Sequence, residues 1–584
     1  MRTLLRLLAF LRPYRLRVVV TALAAAGLMA CTVTLPYLTG RVIDDVLTNK
    51  DQSALAPLVL AVVLIGVVRF GLGVLRRNLA GWLSLQVEFD MREQVFGHLQ
   101  RLSFAYFDRM PVGQLMSRAT SDLQTVRFFL GYGLIFMFMH AFTLVAVAVV
   151  LFLIDPALAA LSLLIGPAMI AVAWRSSKRS HPVLVDVQQK VGDMTQTAEE
   201  SIAGIRVVKS FGQEDRQSER FGRRSVAAFD RQMDAMRLQS FYQPLMAFLP
   251  VVGLAVVLAL GGTLTIDGTI SLGQFVEFFL YLSLLMWPFR SIGMLVGNAQ
   301  RAVASGQRIF EILDTAPEVD ERPGATALPP GAGHVRMDGV RFGYDPERPV
   351  LRDLDLDVPA GRTVALIGAT GSGKSTITQL IPRYYDPQCG RVLLDGADVR
   401  GLRLDDLRRA VGMVSQEPFL FSATVRENIA YGDPGATDDD VRAAARLARA
   451  HDFIMALPEG YETVVGERGF TLSGGQRQRL AIARAVITDP RVLVLDEATA
   501  SVDASTEREI ADALRSVMAG RTTLIIAHRL STIALADEIV LIDGGRVAAR
   551  GSHEDLYAES ALYREIHDQG LARPTDLLAR EEVG

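Results

Sequence analysis

The fold turns on one segment: Val364-Ala365-Leu366-Ile367-Gly368-Ala369-Thr370-Gly371-Ser372-Gly373-Lys374-Ser375-Thr376. Four apolar residues form a buried strand, the glycines make a tight turn, and Thr376 to Leu380 opens a helix. In that order the turn is a phosphate-binding loop. Its amides can wrap phosphates, the helix start adds a positive dipole, Lys374 can reach the outer phosphates and Ser375 a magnesium ion. A chance glycine-rich turn would lack this context. The lysine is also distinctive. Of 61 basic residues only Lys50, Lys178, Lys190, Lys209 and Lys374 are lysines, so Lys374 is the single one after Lys209. A compact ammonium and a forked guanidinium are different phosphate ligands.

Two downstream segments fit the loop. About 120 residues on, Arg491-Val492-Leu493-Val494-Leu495-Asp496-Glu497 is a buried strand ending in two carboxylates. In a nucleoside triphosphatase Asp496 would bind magnesium and Glu497 would orient or deprotonate the attacking water. Between them, Leu472-Ser473-Gly474-Gly475-Gln476 precedes a helical run, Arg477 to Ile487, stopped by Pro490. Ser473 can cap that helix, whose start forms a second amide-rich anion site. Two such sites in one chain cannot easily share one phosphate, which suggests two copies meeting face to face.

The composition upstream is different. Half of the 584 residues are hydrophobic, 21% are charged, and mean hydropathy is +0.25, too apolar for an ordinary soluble chain. Spanning runs are expected at Val18 to Leu38, Leu55 to Leu75, Phe128 to Ile154, Ala157 to Trp174, Leu245 to Ile266 and Phe275 to Val296. The connections Arg41 to Ala54, Asp155-Pro156 and Asp267 to Ser271 are short, whereas Arg76 to Arg127 and Arg175 to Gln243 are long and arginine-rich. By that asymmetry both termini and the long connections lie in the cytoplasm. Helical periodicity in the long connections extends the spans beyond the membrane. The expected division is a membrane domain at 1–315, a Pro/Gly-rich linker at 316–333, an α/β domain at 334–571 and a tail at 572–584. A net charge of −3 gives no electrostatic footprint for nucleic acid, and Cys31 and Cys389 make neither a disulfide framework nor a zinc set.

Lys374, the Leu472 to Gln476 signature and the Glu497 strand end resemble the nucleotide-binding domain of ATP-binding cassette transporters. With six preceding spans, the chain resembles a half-transporter of the exporter type, in the lipid and multidrug exporter family. The resemblance implies an all-α six-helix transmembrane domain of the type IV exporter kind followed by an α/β P-loop ATPase. It implies ATP and Mg2+ at Gly368, Ala369, Thr370, Gly371, Ser372, Gly373, Lys374, Ser375 and Thr376, with Ser473, Gly474, Gly475 and Gln476 closing the partner's site. Tyr344 resembles the aromatic that stacks on adenine. Gln416 resembles the switch glutamine, which joins Ser375 and Asp496 at the metal. His528 resembles the γ-phosphate-sensing histidine, acting with Glu497 in catalysis, and Asp503 lies in the dimer-contact loop. Thr463 to Gly469 resembles the exporter-specific segment that touches the membrane domain, and Phe104 to Asp122 and Glu199 to Phe211 resemble the coupling regions.

The resemblance further implies that ATP-driven dimer closure turns the spans from inward- to outward-facing. Intact Glu497 and Ser473 to Gln476 favour a homodimer over half of a heterodimer. The expected activity is export or leaflet translocation of an amphipathic, lipid-like or drug-like compound across a bacterial inner membrane. The rivals are an ATP-gated channel and an exporter-fold importer. Glu277, inside the sixth span, is expected either to meet a cationic substrate or to snorkel to the interface. Arg69 could pair between helices or face an aqueous cavity. Phe136, Phe138, Met139, Phe248, Phe275, Phe278, Phe279, Tyr281 and Met286 suit an adaptable apolar pocket, though most are expected to face lipid or pack helices.

Overall fold

The computed structural model describes residues 2–466, 469, 471–496, 504–527 and 529–568. It divides into two compact units: Met1–Gln100 with Val112–Thr315, and Arg101–Pro111 with Ala316–Gly584.

The first unit is all helical. Six helices long and apolar enough to span a bilayer run over Arg12–Thr48, Gln52–Leu99, Val112–Ile154, Pro156–Ala203, Glu214–Ile266 and Leu272–Asp314. Each contains one of the six expected apolar runs, and at 37 to 53 residues all exceed the roughly 20 that a hydrocarbon core requires. Chain chemistry sets where several of them start. Asp155 accepts the amide of Leu158 at 2.7 Å ahead of Pro156, giving the fourth span its cap and a first residue that needs no donor partner. Ser271 and Gln274 form a reciprocal capping box at the start of the sixth. Asp44, from the end of the first span, accepts the Ser271 hydroxyl and, at 2.7 Å, the Gly273 amide.

Close packing follows from that join. A Cβ on Gly273 would lie 2.2 Å from the Gly40 carbonyl oxygen, so only glycine permits this approach. Glu277 is 5% exposed, and a Cβ on Gly40 would come within 3.1 Å of its Oε2. Of the two readings of Glu277, this placement speaks against snorkelling: the side chain is buried against the first span. Phe278 and Tyr281 are buried in a core with Val147, Leu151, Leu158 and Val257, so they pack helices, while Phe138, Phe248 and Arg69 are exposed. Met286 lines a cavity of about 30 Å³ beside Ser162.

In the second unit a six-stranded sheet has the order β10-β9-β3-β8-β7-β6. Its strands are β3 (Thr363–Ile367), β6 (Val411–Val414), β7 (Val492–Asp496), β8 (Thr522–Ile526), β9 (Glu538–Asp543) and β10 (Arg546–Gly551). All neighbours pair in parallel except β9 with β10. Alternate residues feed two cores: Ala365, Ile367, Leu493, Leu495 and Ile525 on one face, and Val364, Leu366, Val492, Val494 and Leu524 on the other. Burial on both faces explains why these strands read as unbroken apolar runs. A second, antiparallel sheet has the order β2-β1-β4-β5, from β1 (Val335–Phe342), β2 (Leu351–Val358), β4 (Cys389–Leu394) and β5 (Ala397–Asp398).

Candidate nucleotide site

The parallel sheet brings the chemistry to one edge. In a parallel α/β sheet, ligands gather beyond the carboxyl ends of the strands. Gly368 follows β3 directly, Asp496 closes β7 opposite Ile526 of β8, and Gln416 lies two residues past β6. The Ala527 amide donates to the Leu366 carbonyl at 3.3 Å, holding the exit of β8 against β3. Asp496, Gln416 and the 368–376 loop thus leave the same sheet edge. Glu497, His528, Asp503 and, in the exporter-specific segment, Glu467 and Arg468 lie outside the described residues.

The loop has the conformation that its glycines allow. Gly373 takes φ +103° at the start of the helix Lys374–Leu380, and a Cβ there would strike the Leu351 side chain at 2.7 Å. At Gly368 a Cβ would sit 2.2 Å from the Ile542 carbonyl oxygen. Lys374 is 6% exposed, and its Nζ donates to the Gly368 and Ala369 carbonyls at 2.7 and 3.0 Å. Carbonyl oxygens hold that ammonium across the turn, among peptide groups. Among the described residues, the Ser372 hydroxyl is buried without a hydrogen-bond partner. A buried donor with no protein acceptor, beside a buried cation, fits an anionic ligand. Ser375 is exposed at the same helix start.

Tyr344 is tied to this helix. Its hydroxyl donates to Gln379 Oε1 at 2.7 Å and lies 3.3 Å from Thr376 Oγ1, leaving the ring 49% exposed. Burial of the hydroxyl end raises its pKa above that of a free tyrosine, so it stays protonated. Behind the ring, Phe342 and Tyr385 make edge contacts at 5.2 and 5.3 Å between centroids. A half-open aromatic face fixed by its hydroxyl and two edges is a stacking platform.

The 472–476 segment forms a helix start of its own. Ser473 caps Gly474–Val486, its Oγ accepting the Gln476 amide at 3.3 Å while Gln476 Oε1 accepts the Ser473 amide at 2.9 Å. Among the described residues, the side-chain hydrogen bonds of Ser473 and Gln476 are to each other's amides, not to the 368–376 loop. Two positions escaped the sequence reading. Tyr385, only 7% exposed, donates its hydroxyl to Asp108, and Phe104 stacks on Tyr384 at 4.3 Å. The adjacent aromatics Tyr384-Tyr385, soon after a phosphate loop, were the available signal.

Residues 18–289 match the ABC transporter transmembrane region and residues 351–500 the ABC transporter domain. The ATP-dependent lipid A-core flippase of Syntrophus aciditrophicus is 36% identical over 96% of this chain and 93% of its own length. The chain belongs to the ABC transporter family. Among relatives of this transporter, a Staphylococcus aureus ATP-binding/permease protein, provisionally named for multidrug export, is 35% identical over 96% of this chain and 99% of its own. A bacterial Atm1-family ABC exporter, solved with ATP bound, is 33% identical, with a TM-score of 0.81 over 96% of this chain and 100% of that one. The transporter is thus a multi-pass membrane protein of exporter type, with an all-α membrane half and a nucleotide-binding ATPase half.

Proposed function

We propose that the chain is one half of a homodimeric pump that moves an amphipathic, lipid-like or drug-like compound out of, or between the leaflets of, a bacterial inner membrane. The observation that carries this is the buried Lys374 in its glycine loop, at the sheet edge that also holds Asp496 and Gln416, in a chain with six spans. The kinship with a lipid A-core flippase and an Atm1-family exporter supports the lipid-like class and the outward direction.

In this reading Tyr344 stacks on adenine, residues 368–376 hold the phosphates, and Ser473, Gly474, Gly475 and Gln476 of one chain close the other chain's site. Ser375, Gln416 and Asp496 would hold Mg2+, which when bound neutralises phosphate charge. Glu497 orients the attacking water and takes its proton, and His528 senses the terminal phosphate. Both termini lie in the cytoplasm. The Ser473–Gln476 capping box supports the trans arrangement: it takes up the Ser473 and Gln476 amides and fixes the helix start, where the first-turn amides of Gly474 and Gly475 have no intrahelical acceptor and would meet an incoming phosphate.

The test is to purify the chain alone, reconstitute it in liposomes and measure ATPase activity and transport against a panel of lipids and drugs. Stimulation by one class, abolished in Glu497→Gln, is the expected result. Normal hydrolysis by Glu497→Gln would remove Glu497 from its role, and a monomeric, inactive chain would remove the homodimer.

A further inference from the structure

Segment 101–111 is continuous with the second span, which ends at Leu99, and with the third, which begins at Val112, yet it packs in the nucleotide-binding unit. Three contacts fix it there. Phe104 stacks on Tyr384 at 4.3 Å, Arg109 pairs with Glu318 at 2.6 Å, and Asp108 accepts the hydroxyl of Tyr385. The first is a ring stack and the second an ion pair between two exposed side chains. The third reaches onward by a hydrogen bond, because the same Tyr385 ring lies edge-on to Tyr344, 5.3 Å between centroids; Phe104 meets the Tyr385 ring only at 6.5 Å, tilted. A cavity of about 850 Å³ opens beside these groups, with Asp108, Tyr344, Gln379 and Tyr385 in its wall.

We propose that Tyr385 is a positioning residue that reports adenine stacking on Tyr344 to Asp108, and so to the segment joining the second and third spans. The proposal rests on Tyr344 being the adenine platform. Its physics is short-ranged. A base laid on the free face of Tyr344 loads a ring whose edge contacts and hydroxyl bonds leave it little freedom, so the load passes to the Tyr385 ring. Burial, and then the Asp108 carboxylate, keep the Tyr385 hydroxyl protonated, so it remains a donor across the physiological range. The relay therefore senses the base, whereas the loop at Lys374 senses the phosphates.

Hydrogen-exchange mass spectrometry of the full chain in nanodiscs separates the two. With Mg2+ and the non-hydrolysable analogue AMP-PNP, exchange should slow at least fivefold in peptides covering 101–111 and in those covering 368–376. Inorganic tripolyphosphate, which has no base, should slow only the 368–376 peptides. In Tyr385→Phe, which keeps the ring and loses the donor, AMP-PNP should still protect 368–376 while protection of 101–111 falls below twofold. Asp108→Leu should do the same, and Asp108→Asn, which keeps an acceptor, should behave as the parent chain does. Full protection of 101–111 in Tyr385→Phe, or equal protection by tripolyphosphate, overturns the relay. The adenine platform is judged separately: Tyr344→Ala should weaken AMP-PNP binding at least fivefold, and unchanged affinity overturns that reading by itself.

Discussion

Lys374 shows how much a single side chain can decide. Its ammonium is buried and shared by two carbonyls. Substitution by alanine or by arginine should lower ATP affinity by a factor of about 30 to 150, since a lost charged hydrogen bond costs about 2–3 kcal/mol. Equilibrium nucleotide binding checks this, and normal binding by Lys374→Arg would show that shape is unimportant there. Gly373→Ala forces φ +103° on a residue with a Cβ and a clash with Leu351. It should destabilise the nucleotide-binding unit by about 1–3 kcal/mol, seen as a lower melting temperature. Both residues were legible in the sequence because loop chemistry is local: the glycine spacing and the lysine stand within eight positions. Tyr385 was not, nor was its pairing with Asp108 of the coupling region, because that partnership spans 277 positions and follows from the tertiary fold.

At the scale of helices, hydropathy located all six spans because lipid demands a minimum apolar length, and periodicity extended them because helical faces continue past the membrane. It missed the ties between them. Asp122 and Glu88 lie in the arginine-rich connection 76–127, yet both are buried. Arg308 of the sixth span grips Asp122 of the third in a forked pair, with Nε to Oδ2 at 2.8 Å. Glu88 of the second span is held by Arg92 and, at 2.9 Å, by Arg127 of the third. The Asp122 carboxylate is 7% exposed, whereas its arginine partner is 46% exposed, so the two deletions are unequal. Arg308→Met strands a buried carboxylate and should cost about 3 kcal/mol or more, while Asp122→Asn, which keeps an acceptor, should cost about 1 kcal/mol. Thermal unfolding in detergent should reproduce that order, and equal losses would mean that the pair is solvent-screened.

For the whole transporter, the sharpest expectation concerns the second copy. If the loop of one chain and the signature of the other share each nucleotide, chains carrying Lys374→Ala and chains carrying Ser473→Arg should each be inactive as homodimers. Mixed, they should recover up to about half of the parent ATPase rate per mixed dimer, because one of its two sites combines an intact loop with an intact signature. No recovery on mixing would place both halves of each site in one chain. The sequence implied this assembly from two anion-binding helix starts, and, among the described residues, the Ser473 and Gln476 side chains bonding to each other rather than to the 368–376 loop leave that inference in place. The scarcity of lysine has a practical consequence. A protease that cuts only after lysine has a single target beyond Lys209, and in the folded chain that lysine side chain is buried in the glycine loop. The nucleotide-binding half should therefore survive such digestion intact for as long as it stays folded, and then split once. The ratio of whole to split fragment beyond Lys209 on a gel would count molecules with an unfolded nucleotide-binding half, without a label, in a native membrane.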